Sequence, residues 1–226
     1  MVNYISDTFD FIATTGHIPL NASPCPDQIC GVLRDGIYTS IRKRKTKYNI
    51  DYVQRTKTLC QHKHPKSPIV IILESPHADE YCKYCGSPLG PAQGDTGDFF
   101  DEYFHTLIMK SNIYKSIRHG VHAVIFVNAV QYQCSLGRAL FGPKNVINRN
   151  VRDQNWLNCM DNGCAVDLIQ RIKSLSPYAI INLCTKGPAN LREVVDKVVK
   201  QNFPLTCYTQ GNHPSSWWCP RNRKIF

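Results

Sequence analysis

Three residues, each at the start of a loop, are of types that together could act on a planar ring. They are Glu74 in "ESPHADE" (74–80), Asn128 in "VNAV" (127–130) and His213 in "GNHPSSWW" (211–218). A carboxylate can orient water. A carboxamide can read the edge of a pyrimidine with one donor and one acceptor, turned either way. An imidazole can steady a departing anion through a preorganised hydrogen bond. Taken singly, each has a plainer use: a loop cap, a turn residue, a satisfied buried histidine. A second set could hold a metal. "CQHKH" (60–64) and "CKYC" (82–85) supply Cys60, His64, Cys82 and Cys85, with His62 as a further donor. A C-x-x-C pair joined by another Cys and a His suits tetrahedral zinc. A redox role for Cys82 and Cys85 lacks the helix N-terminus that would activate a thiol there.

The elements that must position these residues follow from periodicity. "IVIIL" (69–73) and "HAVIFVNAV" (122–130) are short, continuous apolar runs, as strands covered on both faces should be. "YAIINLC" (178–184) and "PLTCYT" (204–209) make a third and a fourth strand. Between them lie helical patterns: "GDFFDEYFHTLI" (97–108), capped by Thr96 or Asp95, "CAVDLIQRIKSL" (164–175), and "GPANLREVVDKVVKQ" (187–201) with Pro188 near its first turn. Strands alternating with helices predict an α/β fold: a three-layer α/β/α sandwich around a central, mainly parallel four-stranded sheet. In such sheets ligands bind beyond the carboxyl ends of the strands. That is where Glu74, Asn128, "CTKG" (184–187) and His213 fall. Residues 1–68 read as an N-terminal helical and basic extension of a single 226-residue domain whose core spans 69–219.

Composition narrows the class. Apolar residues are 42% and charged residues 19%, which suits a folded chain rather than a disordered one. No run approaches the roughly 20 apolar residues of a membrane span, and "MVNYISDTFD" does not read as a secretory signal. A cytoplasmic protein is expected, with no membrane partner. Eleven cysteines then read as thiols or metal ligands rather than disulfides. The formal charge of +10 points to a polyanionic partner such as DNA. The run Arg42, Lys43, Arg44, Lys45 is either a solvated face or a phosphate-contacting patch.

The wording of the loops adds a resemblance. "ESPHADE" resembles the "EAPGADE" first motif of the uracil-DNA glycosylase superfamily, particularly its family 4 branch. "GSPLGPAQGDTGDFFDE" (86–102) is similar to that branch's "GRPFVG…GRAGKLLDE" segment, and "VIFVNAVQYQC" (124–134) to its Asn-bearing strand. "CAVDLIQRI" followed by "AIINLCTKGPANL" resembles the later cysteine–helix–strand–helix segment, and "NHPSSW" (212–217) the closing "HPS" motif. Five short segments in one order cover roughly residues 69–219.

The resemblance implies a monofunctional DNA glycosylase that flips a nucleotide out of the duplex and hydrolyses its N-glycosidic bond. His213 would stabilise the leaving base, Asn128 would read it, and Glu74 would orient water or hold the pocket. Ser75, Pro76, His77 and Leu89 would shape the base pocket. Ser75, Ser215, Ser216 and Lys186 would grip phosphates, and Trp217 or Trp218 would serve as an inserted wedge or pack beneath the loop. The chain also departs from the family. Leu89 stands where family 4 has an aromatic platform, and His77 where family 1 has a tyrosine that excludes C5-substituted bases. Ser75 replaces family 1's water-activating Asp. A modified pyrimidine is therefore expected as substrate, for example a C5-substituted cytosine of phage DNA met in bacterial defence, with uracil in base-excision repair as the alternative. A non-catalytic binder of modified DNA and a hydrolase of RNA or nucleotides remain as other readings. Family 4 also implies an iron–sulfur cluster. Cys164 matches its last ligand, but Cys134 lies two residues beyond the third, and Cys25 and Cys30 have the wrong spacing for the early pair. No cofactor is needed for the chemistry, and a monomer is expected.

Overall fold

The computed structural model describes residues 23–42, 66–82, 85–134 and 145–226. Lys43, Arg44, Lys45, Cys60, His62 and His64 lie outside the described residues.

β1 (Gln28–Arg34) and β2 (Ile37–Ser40) form an antiparallel hairpin. Its two-residue turn is Asp35–Gly36, with φ of 46° and 82°. Positive φ at both central residues is what a hairpin turn matched to strand twist requires, and Asp-Gly supplies it at low cost. β3 (Lys66–Leu73) runs parallel to β4 (Val121–Asn128) on one side and to β5 (Ala179–Asn182) on the other. β6 (Cys207–Gln210) extends the parallel set beyond β5. β1 joins the far side of β4 in antiparallel fashion, which gives the order β2-β1-β4-β3-β5-β6. The fold is thus α/β with a mixed sheet of six strands rather than the expected four. The extra pair comes from residues 28–40, within the stretch read as a helical and basic extension.

Five helices have described backbone: α1 (Asp95–Met109), the single-turn α2 (Tyr114–Ile117), α3 (Asn145–Cys159), α4 (Ala165–Leu175) and α5 (Leu191–Asn202). They cover both faces of the sheet because side chains along β3 alternate. Ile69, Ile71 and Leu73 pack with Phe100, Phe104 and Ile108 of α1 and Ile117 of α2. Val70 and Ile72 pack with Trp156 of α3, Leu168 and Ile172 of α4, and Val195 and Val199 of α5. Each fully buried side chain of this size contributes about 1.5–3 kcal/mol.

Three local expectations shift. Gly94 precedes α1 without a side-chain cap, and Asp95 and Asp98 instead lie in its first turn, where negative charge favours the helix dipole. α5 begins at Leu191, after Asn190 in the left-handed region (φ 51°), so Pro188 lies in the preceding turn. α4 follows α3 through a wide turn at Met160–Cys164 that is broken by Gly163, whose φ is 111°. No helix among the described residues is long and apolar enough to cross a membrane.

Candidate active site

Glu74 is the first residue beyond β3, and its backbone is fixed from three sides. The Leu73 carbonyl accepts from Ala129 N–H (2.8 Å), and the Glu74 carbonyl accepts from Val130 N–H (3.0 Å) and from the Trp156 indole (2.7 Å). Its side chain is buried. Arg152 of α3 donates from Nη1 to Oε1 at 3.1 Å and also pairs with its neighbour Asp153. Burial alone would raise the Glu74 carboxyl. Arg152, then His213 and Thr185, outweigh it and hold the group below its ordinary value. The second oxygen, Oε2, is buried and has no hydrogen-bond partner among the described residues.

Asn128 ends β4, the neighbouring parallel strand, and is 1% exposed. Its carbonyl accepts from Arg171 Nη2 at 2.9 Å, and that guanidinium is held in turn by Asp27 and Asp167, both at 2.7 Å. The carboxamide is different: both Nδ2 and Oδ1 are buried without a hydrogen-bond partner among the described residues. Such groups cost about 1–3 kcal/mol each when left unsatisfied. Beside Asn128 lies the buried carboxyl of Glu80. Burial pushes Glu80 up to about 8, against the amides of Ala92 and His77 and the Asn128 side chain, which favour its ionised form. The Cys25 thiol approaches the same carboxyl at 4.0 Å.

His213 lies just beyond β6, ahead of a 3₁₀ turn over Pro214–Ser216. Its Nδ1 accepts from Ser215 N–H (3.3 Å) and lies 2.7 Å from Ser215 Oγ. A backbone N–H can only donate, so Nδ1 carries the lone pair and the neutral ring bears its proton on Nε2. Ser216 Oγ donates to the His213 carbonyl at 2.8 Å. Burial, with Arg152 and Arg192 nearby, lowers the imidazole below its ordinary 6.5 against the opposing pull of Glu74. Arg192 also braces the preceding residue, donating to Asn212 Oδ1 at 3.2 Å.

Arg152, His213 and Thr185 each act on Glu74, and the loop residues among them follow β3, β5 and β6 at their carboxyl ends. Asn128 joins them from the end of β4, which pairs with β3 in register at Leu73. Sequence reasoning missed Arg152, Glu80 and Arg171, and it marked the "CTKG" segment without singling out Thr185. The sequence "NRNVRDQNW" offers few apolar residues to mark α3, so the helix that carries Arg152 has a weak signature. Glu80 sits inside the quoted motif and could have been singled out as a carboxylate six residues from the first.

The other expected residues are distributed as follows. Ser75 and Pro76 continue directly from Glu74, with Pro76 buried. His77 accepts from Asp79 N–H through Nδ1 at 3.4 Å and opens the turn that carries Glu80. Leu89 is exposed and its N–H donates to the Glu80 carbonyl at 2.7 Å, which ties the shortened "SPLG" wall to the motif. Lys186 is exposed in the loop that follows β5, and Ser215 is exposed beside His213. Trp217 does not face solvent: it is fully buried and stacks on Phe100 at 6.1 Å, so it packs beneath the loop, and Trp218 is the exposed indole. Arg42 is not a free phosphate contact either. Its side chain is 6% exposed, pairs with Asp101 at 3.2 Å and donates to the Ala92 carbonyl, which fastens the hairpin to α1 and the pocket wall.

Cys82 and Cys85 form one tight turn, in which Gly86 N–H donates to the Cys82 carbonyl (2.9 Å) and Cys82 N–H to the Ser87 carbonyl (2.8 Å). The Cys85 thiol is exposed, lies 2.9 Å from Ser87 Oγ, and is held at about 7 by Ser87 and Cys82. The Cys82 and Cys85 thiols interact with each other across this turn. The expected completion of a zinc site by Cys60 and His64 lies outside the described residues. The cluster expectation fits less well. The Cys159 thiol meets those of Cys134 and Cys164, but Cys30 lies on the opposite face of the sheet, against Val124, and Cys25 lies beside Glu80. Among the described residues three thiols meet there, and Cys60 lies outside them. Among the described residues no group of three or more His, Cys, Asp or Glu side chains is arranged to hold a metal ion.

Neither a family model nor a curated protein matches the chain.

Proposed function

We propose that the chain is a divergent member of the uracil-DNA glycosylase superfamily, acting as a monofunctional glycosylase on a modified pyrimidine in DNA. The observation that carries this reading is the set of buried polar atoms without partners, Glu74 Oε2 and both ends of the Asn128 carboxamide, beside a neutral imidazole. Five buried polar side-chain atoms lack partners among the described residues, the other two being Arg42 Nε and Trp217 Nε1. Glu74 Oε2 and the two carboxamide atoms lie at the ends of the neighbouring strands β3 and β4, and such groups are costly unless a ligand or water satisfies them. A pyrimidine edge fills the carboxamide, and an attacking water fills Oε2.

In this mechanism Asn128 holds the flipped base, and His213 donates from Nε2 toward the base oxygen on which negative charge develops. A neutral donor in a preorganised position is worth about 10²–10³ in rate. Glu74, kept ionised by Arg152, orients water toward the sugar carbon as positive charge grows there. Ser75, Lys186, Ser215 and Ser216 contact flanking phosphates, and the exposed Trp218 enters the space the base leaves. His77 and Leu89, which replace a gate and a platform, favour a C5-substituted cytosine over plain uracil. The protein is taken to work in the cytoplasm as a monomer.

Oligonucleotides bearing uracil, hydroxymethylcytosine or glucosylated hydroxymethylcytosine test the reading. Alkali-labile sites are expected with a C5-substituted cytosine. Efficient cutting of uracil alone overturns the modified-base part, and tight binding with no cutting of any substrate favours a non-catalytic binder.

Zinc at Cys82 and Cys85, with Cys60 and His64, is the structural part of the proposal. Metal analysis is expected to find about one zinc per chain, and chelation to lower Tm while the isolated chemistry needs no metal. Absorption near 400 nm would instead signal an iron–sulfur cluster.

A further inference from the structure

We infer that residues 43–65 form a right-handed crossover that packs on the exposed face of the β1–β2 hairpin, the face carrying Val32, Ile37 and Ile41. The inference concerns what covers this sheet and stands independently of the glycosylase reading.

The hairpin is covered on one face only. Cys30, Leu33 and Tyr38 are buried with Phe100, Phe104 and Ile108 of α1, and Tyr38 meets Phe104 edge-on at 5.0 Å. Val32, Arg34, Ile37, Thr39 and Ile41 alternate onto the other face and line an open depression of about 370 Å³. Ile37 is 62% exposed there. Farther along the same face, Ile29 and Ala123 pack against the core that α3, α4 and α5 close, so the depression continues a covered surface.

The path of the chain determines its cover. β2 is antiparallel to β1, and β1 to β4, so β2 runs parallel to β4 and β3. The chain leaves β2 toward the carboxyl ends of the parallel strands and re-enters at Lys66, beside His122 near the opposite end. Residues 43–65 therefore connect the first strand position to the fourth, across β1 and β4. Three interstrand steps are about 15 Å, and a crossover needs about a dozen residues, fewer than this segment holds. Parallel strands of one sheet are joined in a right-handed sense, and the described connections share one hand. The β3–β4 connection moves toward β2 over the α1 face. The β4–β5 and β5–β6 connections move toward β6 over the α3–α5 face. From β2 to β3 the chain also moves toward β6, which assigns residues 43–65 to the face where Ile37 is bare. The opposite route is filled by α1. The composition of the segment suits that seat. Tyr48, Ile50, Tyr52, Val53 and Leu59 supply apolar cover, and seven Lys or Arg against the single Asp51 belong on the side facing water.

The test replaces Ile37 or Thr39 in the full chain with photoreactive benzoylphenylalanine, and Met109 on α1 as a control. Cross-links are mapped by mass spectrometry after ultraviolet irradiation. Both hairpin positions are expected to link within one chain to peptides from 43–65, and Met109 is not. Links from the hairpin to residues 1–22, to a second copy of the chain, or to no peptide overturn the inference. Trypsin gives a second measure with Ile37→Asp. Cleavage after Arg55 and Lys57 should become at least about tenfold faster, the effect on an equilibrium of losing one buried apolar side chain. Cleavage after Lys197 in α5 should not change. Equal cleavage after Arg55 and Lys57 in wild type and variant overturns the inference. If all three sites accelerate together the variant has unfolded, and the cross-links decide.

Discussion

At the scale of single residues, the site depends on keeping two groups in opposite states at neutral pH: Glu74 charged and His213 uncharged. Both are lowered below their ordinary values, Glu74 by Arg152 outweighing burial and His213 by burial itself. A lowered histidine gains its proton only at a pH below 6.5, so activity should hold through neutrality and fall on acidification beneath that value. The pH–rate profile checks this. Arg152→Met removes a cation that lowers both groups, so the acid limb should move upward in pH. It also strands a buried carboxylate, at a cost on the order of 3 kcal/mol, readable by urea denaturation. His213→Ala should cost about 10²–10³ in rate with little change in KM, because its hydrogen bond strengthens only as the base departs. Asn128→Ala should lose binding as well as rate.

At the scale of elements, what was legible in the sequence was whatever had an apolar period. β3, β4, β5, α1, α4 and α5 all carry runs or stripes that a packed sheet requires, and they place Glu74 and Asn128 at strand ends without further information, while the short β6 places His213. α3 was not legible. It faces the site with Arg152 and buries Asp153 and Asn155, so its polar residues serve the pocket rather than advertise a helix. The hairpin was obscured by the basic run beyond it, although Asp35-Gly36 between "ICGVL" and "IYTS" is a hairpin signal. That turn is testable. Gly36 has φ of 82°, and a Cβ there would lie 2.4 Å from the Tyr114 hydroxyl. Gly36→Val should therefore destabilise the fold by about 1–3 kcal/mol, measured as a lower denaturation midpoint, while leaving KM for DNA nearly unchanged. Trp217 shows the converse limit. Next to a loop motif it reads equally as a wedge or as packing, and only its stacking on Phe100 distinguishes the two.

At the scale of the whole molecule, a formal charge of +10 sets how the protein would meet DNA. Binding through phosphate contacts should weaken steeply between about 50 and 200 mM salt, with a linear log–log slope that counts the contacts. Lys186→Ala should make that slope shallower by about one unit, and filter binding across the salt range checks it. The sheet order has another result. β1 is formed early in the chain, yet the strand it must pair with is β4, and Cys30 meets the Val124 carbonyl across 94 residues of sequence. A chain emerging from the ribosome would hold the β1–β2 hairpin with one edge bare until β4 has been made. The β1–β2 hairpin therefore cannot take its place in the sheet before the strand bearing Asn128 arrives, while Arg152, Thr185 and His213 reach the site only with the later segments.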